Sequence, residues 1–302
     1  MRIELTEVVL RDGLQDQPLL VRTADKIQLG HALTDAGISR LEAVSFVHPA
    51  KVPQMADADE FMEAWHEPRV RTVGLALNRR GGTRAVEAGV DEVRVAVSAS
   101  EGHSRANAGR PTARALEDVA GAVSDHPHAD ITVGIATAFV CPYDGMIPPQ
   151  RLVDLVLRLK ELGVQHVGLA DTLGTATTET VMSSVEAVLE AWPNVQLNLH
   201  LHDGRGQALT TVDAAIEAGI TRFDSSLAGI GGCPFAPGAA GNLDTATLVR
   251  HLLARGHDPG VDPDRLAGAD RLLRDALARA TPLESRSHTT PGAEQQEVVD
   301  HV

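Results

Sequence analysis

Short apolar runs alternate along the chain with longer segments whose apolar positions recur at helical spacing. The runs at 2–10, 40–46, 70–76, 92–97, 131–138, 165–170, 196–201 and 221–225 read as strands. The segments near 23–36, 55–65, 79–88, 112–124, 149–162, 178–191, 206–218 and 242–255 read as helices. Four helix-to-strand junctions repeat one phrase: Asp35-Ala36-Gly37-Ile38, Glu87-Ala88-Gly89-Val90, Glu161-Leu162-Gly163-Val164 and Glu217-Ala218-Gly219-Ile220. Each glycine stands where a helix would close in the left-handed conformation before an apolar strand begins. Strand and helix in strict alternation predict a (β/α)8 TIM barrel over residues 1–280. An extra C-terminal helix is expected near 263–279, and the polar segment 281–302 reads as a mobile tail. A doubly wound sheet is the competing fold, but no glycine fingerprint follows the first strand.

Composition narrows the picture. The chain has 302 residues, long for one domain but ordinary for a barrel, and 43% of them are hydrophobic. Aromatics make up 3%, so the core must be built from aliphatic side chains, as in the packed interior of a parallel barrel. The net charge of −14 and the lack of a clustered basic face argue against a nucleic-acid partner. The first residues carry charge and show no signal-peptide core, and no stretch of 18 uncharged apolar residues suggests a membrane span. Two cysteines, Cys141 and Cys233, cannot form a disulfide framework and fit a reducing, cytoplasmic setting.

The chemistry collects where the strands end, which in a barrel is the face that carries function. Strand 1 ends in Arg11-Asp12-Gly13-Leu14-Gln15, strand 2 in Glu42-Ala43-Val44-Ser45, and strand 6 in Asp171-Thr172. Strand 7 ends in His200-Leu201-His202-Asp203 and strand 8 in Asp224-Ser225-Ser226. Alternation along a strand turns His200 and His202 to the same side, roughly 7 Å apart. Alone, such a pair is also compatible with an incidental arrangement. Asp12 at the mouth of strand 1 supplies a carboxylate and turns the three into a candidate cation site, with an amide oxygen available from Asn242. The donor set suits Mg²⁺ or Mn²⁺, with Zn²⁺ or Co²⁺ as alternatives. After strand 8 runs a glycine-rich loop, 229–242, that allows close backbone approach and lid motion. Cys233 in that loop reads either as an inert thiol or as a proton donor brought in by the loop.

These residues and several flanking segments resemble the HMG-CoA lyase branch of the metal-dependent aldolase and synthase barrels. The resemblance rests on Arg11-Asp12-Gly13-Leu14-Gln15, Ser45-Phe46-Val47-His48-Pro49, Val52-Pro53-Gln54-Met55 and Ser98-Ala99-Ser100-Glu101. It continues through Cys141-Pro142-Tyr143-Asp144-Gly145, Asp171-Thr172-Leu173-Gly174, His200-Leu201-His202-Asp203 and the Cys233 loop. It implies a carbon–carbon lyase acting on an acyl-CoA, with Asp12, His200, His202 and Asn242 at the metal. It further implies that Arg11 neutralises a developing enolate or the substrate carbonyl, Glu42 orients Arg11 or the substrate, Asp171 assists proton transfer at the substrate hydroxyl, and Cys233 protonates the released enolate. Gln15, Ser45, Arg105 and Asn107 would contact substrate, and a homodimer is expected.

The chain departs from the family pattern at three places. Asp16-Gln17-Pro18 lacks the lysine usual after the strand-1 motif. The segment Gly102-His103-Ser104-Arg105-Ala106-Asn107 is less lysine-rich than usual. Ala136-Thr137-Ala138-Phe139-Val140 replaces the usual Ser-Cys-x-x-Gly run before Cys141. These regions are expected to hold the CoA phosphates and the acyl chain, so a different 3-hydroxyacyl-CoA, or a hydroxy acid without CoA, is an alternative substrate. Arg79, Arg80 and Arg105 are the candidate replacements for the missing cations. A Claisen-type synthase or an aldolase using a 2-oxo acid shares the Arg-Asp and His-x-His motifs and is the second reading. A non-catalytic scaffold is the third.

Overall fold

Val, Ile and Leu at successive positions make strands that can be buried on both faces, and eight of them close on one another here. The computed structural model describes residues 1–232 and 240–282. The barrel strands are β1 (Glu4–Glu7), β2 (Arg40–Ser45), β3 (Arg71–Ala76), β4 (Glu92–Ser98), β5 (Ile131–Ala136), β6 (His166–Asp171), β7 (Gln196–Leu201) and β8 (Arg222–Ser225). All pair in parallel in chain order, and β1 closes the cylinder by pairing with β8 (Glu4 opposite Arg222) and with β2 (Thr6 opposite Arg40).

Around them lie α1 (Thr23–Asp35), α2 (Ala58–Ala64), α3 (Arg79–Glu87), α4 (Glu101–Ala108), α5 (Thr112–Asp125), α6 (Pro149–Glu161), α7 (Thr178–Ala191), α8 (Ala208–Glu217), α9 (Thr245–Ala254) and α10 (Pro263–Arg279). Helix α6 shows why such segments form and stop. Pro149 opens it at a position where its missing N–H costs nothing. Leu152, Leu155, Val156 and Leu159 then form one buried stripe at i, i+3, i+4, i+7. Gly163 ends it with φ +87°, and Gly37, Gly89 and Gly219 do the same elsewhere with φ of +102°, +80° and +92°. At Gly37 nothing else fits, because a Cβ would lie 2.1 Å from the Gly260 carbonyl oxygen. Leu159 is fully buried, so truncating it to Ala should cost about 2–5 kcal/mol.

The N-terminal end of the barrel is closed by ion pairs. Glu92, fully buried, accepts from Arg40, from Arg71 Nε at 3.4 Å and from Thr132 Oγ1 at 2.8 Å, and Arg71 also reaches Asp130. Across the barrel Arg222 pairs with Glu4 at 3.2 Å.

Three expectations change. The first strand ends at Glu7 rather than at residue 10, and Val9–Gly13 forms a π-helical turn. A helix not foreseen from the pattern, α4, stands between β4 and α5. Thr281 and Pro282, expected in a mobile tail, pair antiparallel with Leu20 and Leu19; residues 283–302 lie outside the described residues. No helix among the described residues is long and apolar enough to cross a membrane.

Candidate active site

Had β1 simply continued, Arg11 and Asp12 would have pointed to opposite faces. The π turn prevents that. Val8 O accepts the N–H groups of Arg11, Asp12 and Gly13 at 3.2, 2.8 and 3.1 Å, and the widened coil turns both neighbouring side chains into the barrel mouth. Glu7 anchors the turn from below: its Oε1 accepts from Val9 N at 2.9 Å and Leu227 N at 3.0 Å, and its Oε2 from Thr245 Oγ1 at 2.6 Å. Burial nevertheless pushes its carboxyl up to about 7, against the pull of those donors.

Asp12, His200 and His202 converge so that one ligand atom from each lies within 4.8 Å of the others. His200 Nε2 is 3.2 Å from His202 Nε2 and 3.9 Å from Asp12 Oδ2. The far nitrogens are held from behind. His202 Nδ1 is 2.8 Å from Ala240 O, and His200 Nδ1 is 3.3 Å from Asp224 Oδ2. A carbonyl oxygen and a carboxylate can only accept, so both Nδ1 atoms carry hydrogen and the Nε2 atoms are the ones turned to the common point. Burial, reinforced by His200, lowers the His202 pKa to about 4, which keeps that imidazole neutral and free to bind a cation. Burial alone would raise the Asp12 pKa, but Arg11 and the two histidines outweigh it and hold the carboxylate ionised. At His200 burial is outweighed by Asp224 and Asp12, which raise its pKa, so a proton competes with a cation there. An oxygen and two imidazole nitrogens at this spacing fit a divalent ion with positions left for substrate.

A second tier of buried charges holds the first. Arg11 bonds both Asp12 and Glu42. Glu42 also pairs with Arg94 at 2.7 Å, and Arg94 pairs with Asp224 at 2.7 Å. The chain Asp12–Arg11–Glu42–Arg94–Asp224–His200 therefore closes a ring around the mouth. Its carboxylates neutralise its two guanidiniums, so both remain charged although buried.

Over residues 2–273 the sequence matches the HMGL-like family. The chain belongs to that family. It is 36% identical over 289 residues to a hydroxymethylglutaryl-CoA lyase of Bacillus subtilis, covering 95% of this chain and 96% of that protein. It is also 36% identical to an (R)-citramalyl-CoA lyase of Chloroflexus aurantiacus, covering 93% of this chain and 92% of the other. A solved HMG-CoA lyase from Acinetobacter baumannii, in complex with coenzyme A and 3-methylmalate, superposes with a TM-score of 0.87 at 37% identity, covering 96% and 97% of the two chains. Family membership and the barrel agree with the expected carbon–carbon lyase class.

Within this HMGL-like barrel not every expected residue reaches the cavity. Arg11, Asp12, Gln15, Asn107, His200 and His202 line it. Glu42 lies behind, holding Arg11. Asn242 adjoins Asp12, but with its amide nitrogen, which donates to Asp12 Oδ2 at 2.7 Å and to Ile230 O at 3.0 Å. In this arrangement it steadies Asp12 rather than presenting an oxygen. Its neighbour Gly231 has φ +107°, and a Cβ there would meet Asn242 Nδ2 at 2.6 Å, so the loop can pass only as glycine.

Asp171 is not on the cavity. Gly168, Ala170 and Thr172 of β6 face inward, and strand alternation puts Asp171 on the opposite side, where its Oδ2 caps Ala176 N at 3.1 Å. Burial raises its pKa to about 6. Ser45 is fully buried and does not reach the cavity wall. Arg105 is exposed and 3.9 Å from Glu101, while Arg79 bonds Asp125 in a cleft with Arg80 away from the mouth. Cys233 lies outside the described residues.

Sequence reasoning placed Asp224 at the rim without a role and missed Arg94, His103 and Asn198 as parts of the site. Arg94 carried a signal, being a lone charge inside the apolar run Val93-Arg94-Val95-Ala96-Val97. His103 carried none, because it depends on α4. Ser100 caps that helix by accepting from His103 N, and Asp144 accepts from Ser100 Oγ at 2.6 Å and Gly102 N at 3.0 Å. Cys141 donates to the same Ser100 Oγ at 2.8 Å. The Ser98–Glu101 and Cys141–Gly145 motifs thus form one corner that sets α4 over the cavity.

Proposed function

We propose that this chain is a divalent-cation-dependent lyase that cleaves a 3-hydroxy-3-methylglutaryl-CoA-type thioester to acetoacetate and acetyl-CoA by a retro-aldol (retro-Claisen) step. The observation that carries the reading is the pair of imidazole Nε2 atoms turned toward each other beside a carboxylate, with both Nδ1 atoms engaged behind. Asp12, His200 and His202 would hold Mg²⁺ or Mn²⁺. When bound there, the cation supplies Lewis acidity, lowering the pKa of a tertiary hydroxyl and drawing charge from an adjacent carbonyl.

The chain's own groups do the rest. Transfer of the hydroxyl proton to solvent water and scission of the C2–C3 bond turn C3 into a ketone and leave the electron pair on the thioester fragment as an enolate. Arg11, fixed by Asp12 and Glu42, presents its guanidinium to the enolate oxygen without having to reorganise. His202, held by Ala240 O, keeps its orientation throughout. Protonation at C2, assigned to Cys233, completes the reaction. A homodimer acting in the cytoplasm completes this reading.

The test is to incubate purified protein and Mg²⁺ or Mn²⁺ with 3-hydroxy-3-methylglutaryl-CoA and follow both products. Loss of activity with chelator and its return with cation are expected; cleavage that ignores the chelator would overturn the reading. A related 3-hydroxyacyl-CoA is the second reading, favoured by the small residues that line the cavity below the cation site.

A further inference from the structure

In a barrel of this kind the inward positions are ordinarily filled by bulky branched side chains. Here they are not. On β5 the inward residues are Gly134 and Ala136, on β6 Gly168 and Ala170, and on β4 Ala96. Gly134 and Gly168 are direct partners across the β5–β6 ladder. A trough with no side chain larger than a methyl group therefore descends from Thr172 at the rim to the glycine pair. The cavity that includes it measures about 140 Å³, comparable to an engineered core cavity of about 150 Å³ that takes up benzene.

The floor is polar. The Arg94 stem lies beside Gly134, and the Asn198 amide lies over Gly168 so closely that a Cβ there would be 2.8 Å from Asn198 Oδ1. Asn198 is 2% exposed and its Nδ2 has no hydrogen-bond partner; Arg94 Nη2, also buried, has none either. Leaving such donors unmet is unfavourable, so an acceptor that descends the trough is rewarded. A second carboxylate is not favoured at this depth, because Glu42 and Asp224 already flank Arg94.

We propose that the trough between β5 and β6 is an acyl-selecting pocket: it takes a branch at carbon 3 longer than methyl and ending in an uncharged oxygen, which Asn198 reads. The proposal rests on the lyase reading above and narrows its substrate. Gly134 sets the depth. A Cβ there would meet Arg94 Cδ at 3.5 Å, an ordinary approach, so a side chain can be added without displacing the backbone.

The experiment compares three thioesters of the 3-hydroxyglutaryl-CoA type whose carbon 3 bears methyl, propyl or 3-hydroxypropyl, assayed with the Mg²⁺-loaded protein. The expected kcat/KM for the hydroxypropyl compound exceeds that for the methyl compound by about tenfold or more. Gly134→Val should invert that preference, and Asn198→Ala should erase the advantage of hydroxypropyl over propyl. Equal or better turnover of the methyl compound by the wild type, or an unchanged ratio in Gly134→Val, would overturn the pocket. If Gly134→Val does not fold, Gly134→Ala gives the same comparison. If none of the thioesters is cleaved, it is the lyase reading that fails. The pocket is then decided by saturation-transfer NMR of metal-free protein with pentan-1-ol. A transfer signal that is seen with the wild type and vanishes in Gly134→Val supports it, and no signal with the wild type overturns it.

Discussion

The two ends of the barrel bury similar groups and use them differently. At the N-terminal end Glu92 is enclosed by Arg40, Arg71 and Thr132, and each charge there meets its opposite. At the C-terminal end the guanidiniums of Arg11 and Arg94 are satisfied by Asp12, Glu42 and Asp224, yet the ring is arranged around a point at which two imidazole nitrogens face each other. One cluster is complete without a ligand, and the other is completed by a cation. Burial and pairing of charge do not mark a site by themselves; groups held in place but turned toward a shared gap do.

The strongest way to break this contrast is to remove a member of the gap. Asp12→Ala or His200→Ala should lower cation-dependent turnover by at least about 10³-fold, since the cation's Lewis acidity goes with its ligands. Unfolding should stay cooperative, with a loss of about 1–3 kcal/mol in Asp12→Ala, where Arg11 keeps only Glu42 and Asn242 loses its acceptor. Residual turnover at the wild-type rate would make the cluster structural, like its counterpart below.

Next in size is a matched pair of arginine removals. Arg94→Met leaves Glu42 and Asp224 buried with part of their compensation gone, at an expected cost of about 3–5 kcal/mol in denaturant unfolding. Arg40→Met should cost less, about 1–3 kcal/mol, because Glu92 retains Arg71 and Thr132. Equal costs would mean that the two clusters are equally closed.

How much of this contrast could be read in the sequence depends on what kind of signal each part leaves. The strands and helices announced themselves through period and the glycine junctions, since burial on both faces or on one stripe dictates composition directly. His200 and His202 were legible because a strand's alternation fixes which side chains share a face, whereas Asp12 was legible only as a carboxylate near the end of the first strand. Alternation along the strand also turns Asp171 away from the cavity that its neighbours Ala170 and Thr172 face. The π turn was not legible: Val9 and Leu10 look like strand residues, and only the convergence of three N–H groups on Val8 O makes the coil. Ser45, carried over from the resemblance, lies fully buried and off the cavity wall, a depth that its motif does not encode. Helix α4 was hidden because its sequence, Glu101–Ala108, has no apolar stripe; its capping serine and Asp144 define it instead.

Glu7 sharpens the comparison by pH. It is a buried rim carboxylate with no ion-pair partner among the described residues, and burial raises its pKa from 4.5 to about 7. The folded state therefore keeps a proton that the unfolded chain releases. The stability this contributes is complete below about pH 4.5, declines as the pH rises to about 7, and is flat beyond. The span corresponds to about 3 kcal/mol. Glu7→Gln, which can still accept from Val9 N and Leu227 N, should flatten that slope in chemical denaturation between pH 4.5 and 7. A slope that persists in the variant would assign it to another group.

Behind the gap, Asp224→Asn keeps an oxygen for His200 Nδ1 but removes its charge. The expected loss of cation affinity is about 10- to 100-fold, measured by titration of metal-free protein, with the fold retained.

The smallest effect belongs to the lower cluster's outer edge. Asp130 pairs with Arg71 where both side chains are largely open to solvent, about half and two fifths exposed. Water screens that pair and the two chains give up freedom to form it, so Asp130→Ala should cost no more than about 1 kcal/mol, and less in high salt. Arg71 would still face Glu92, so no charge is stranded in the core. A cost of several kcal/mol would mean that Asp130 holds Arg71 in position for Glu92, and that the lower cluster is as cooperative as the ring at the mouth.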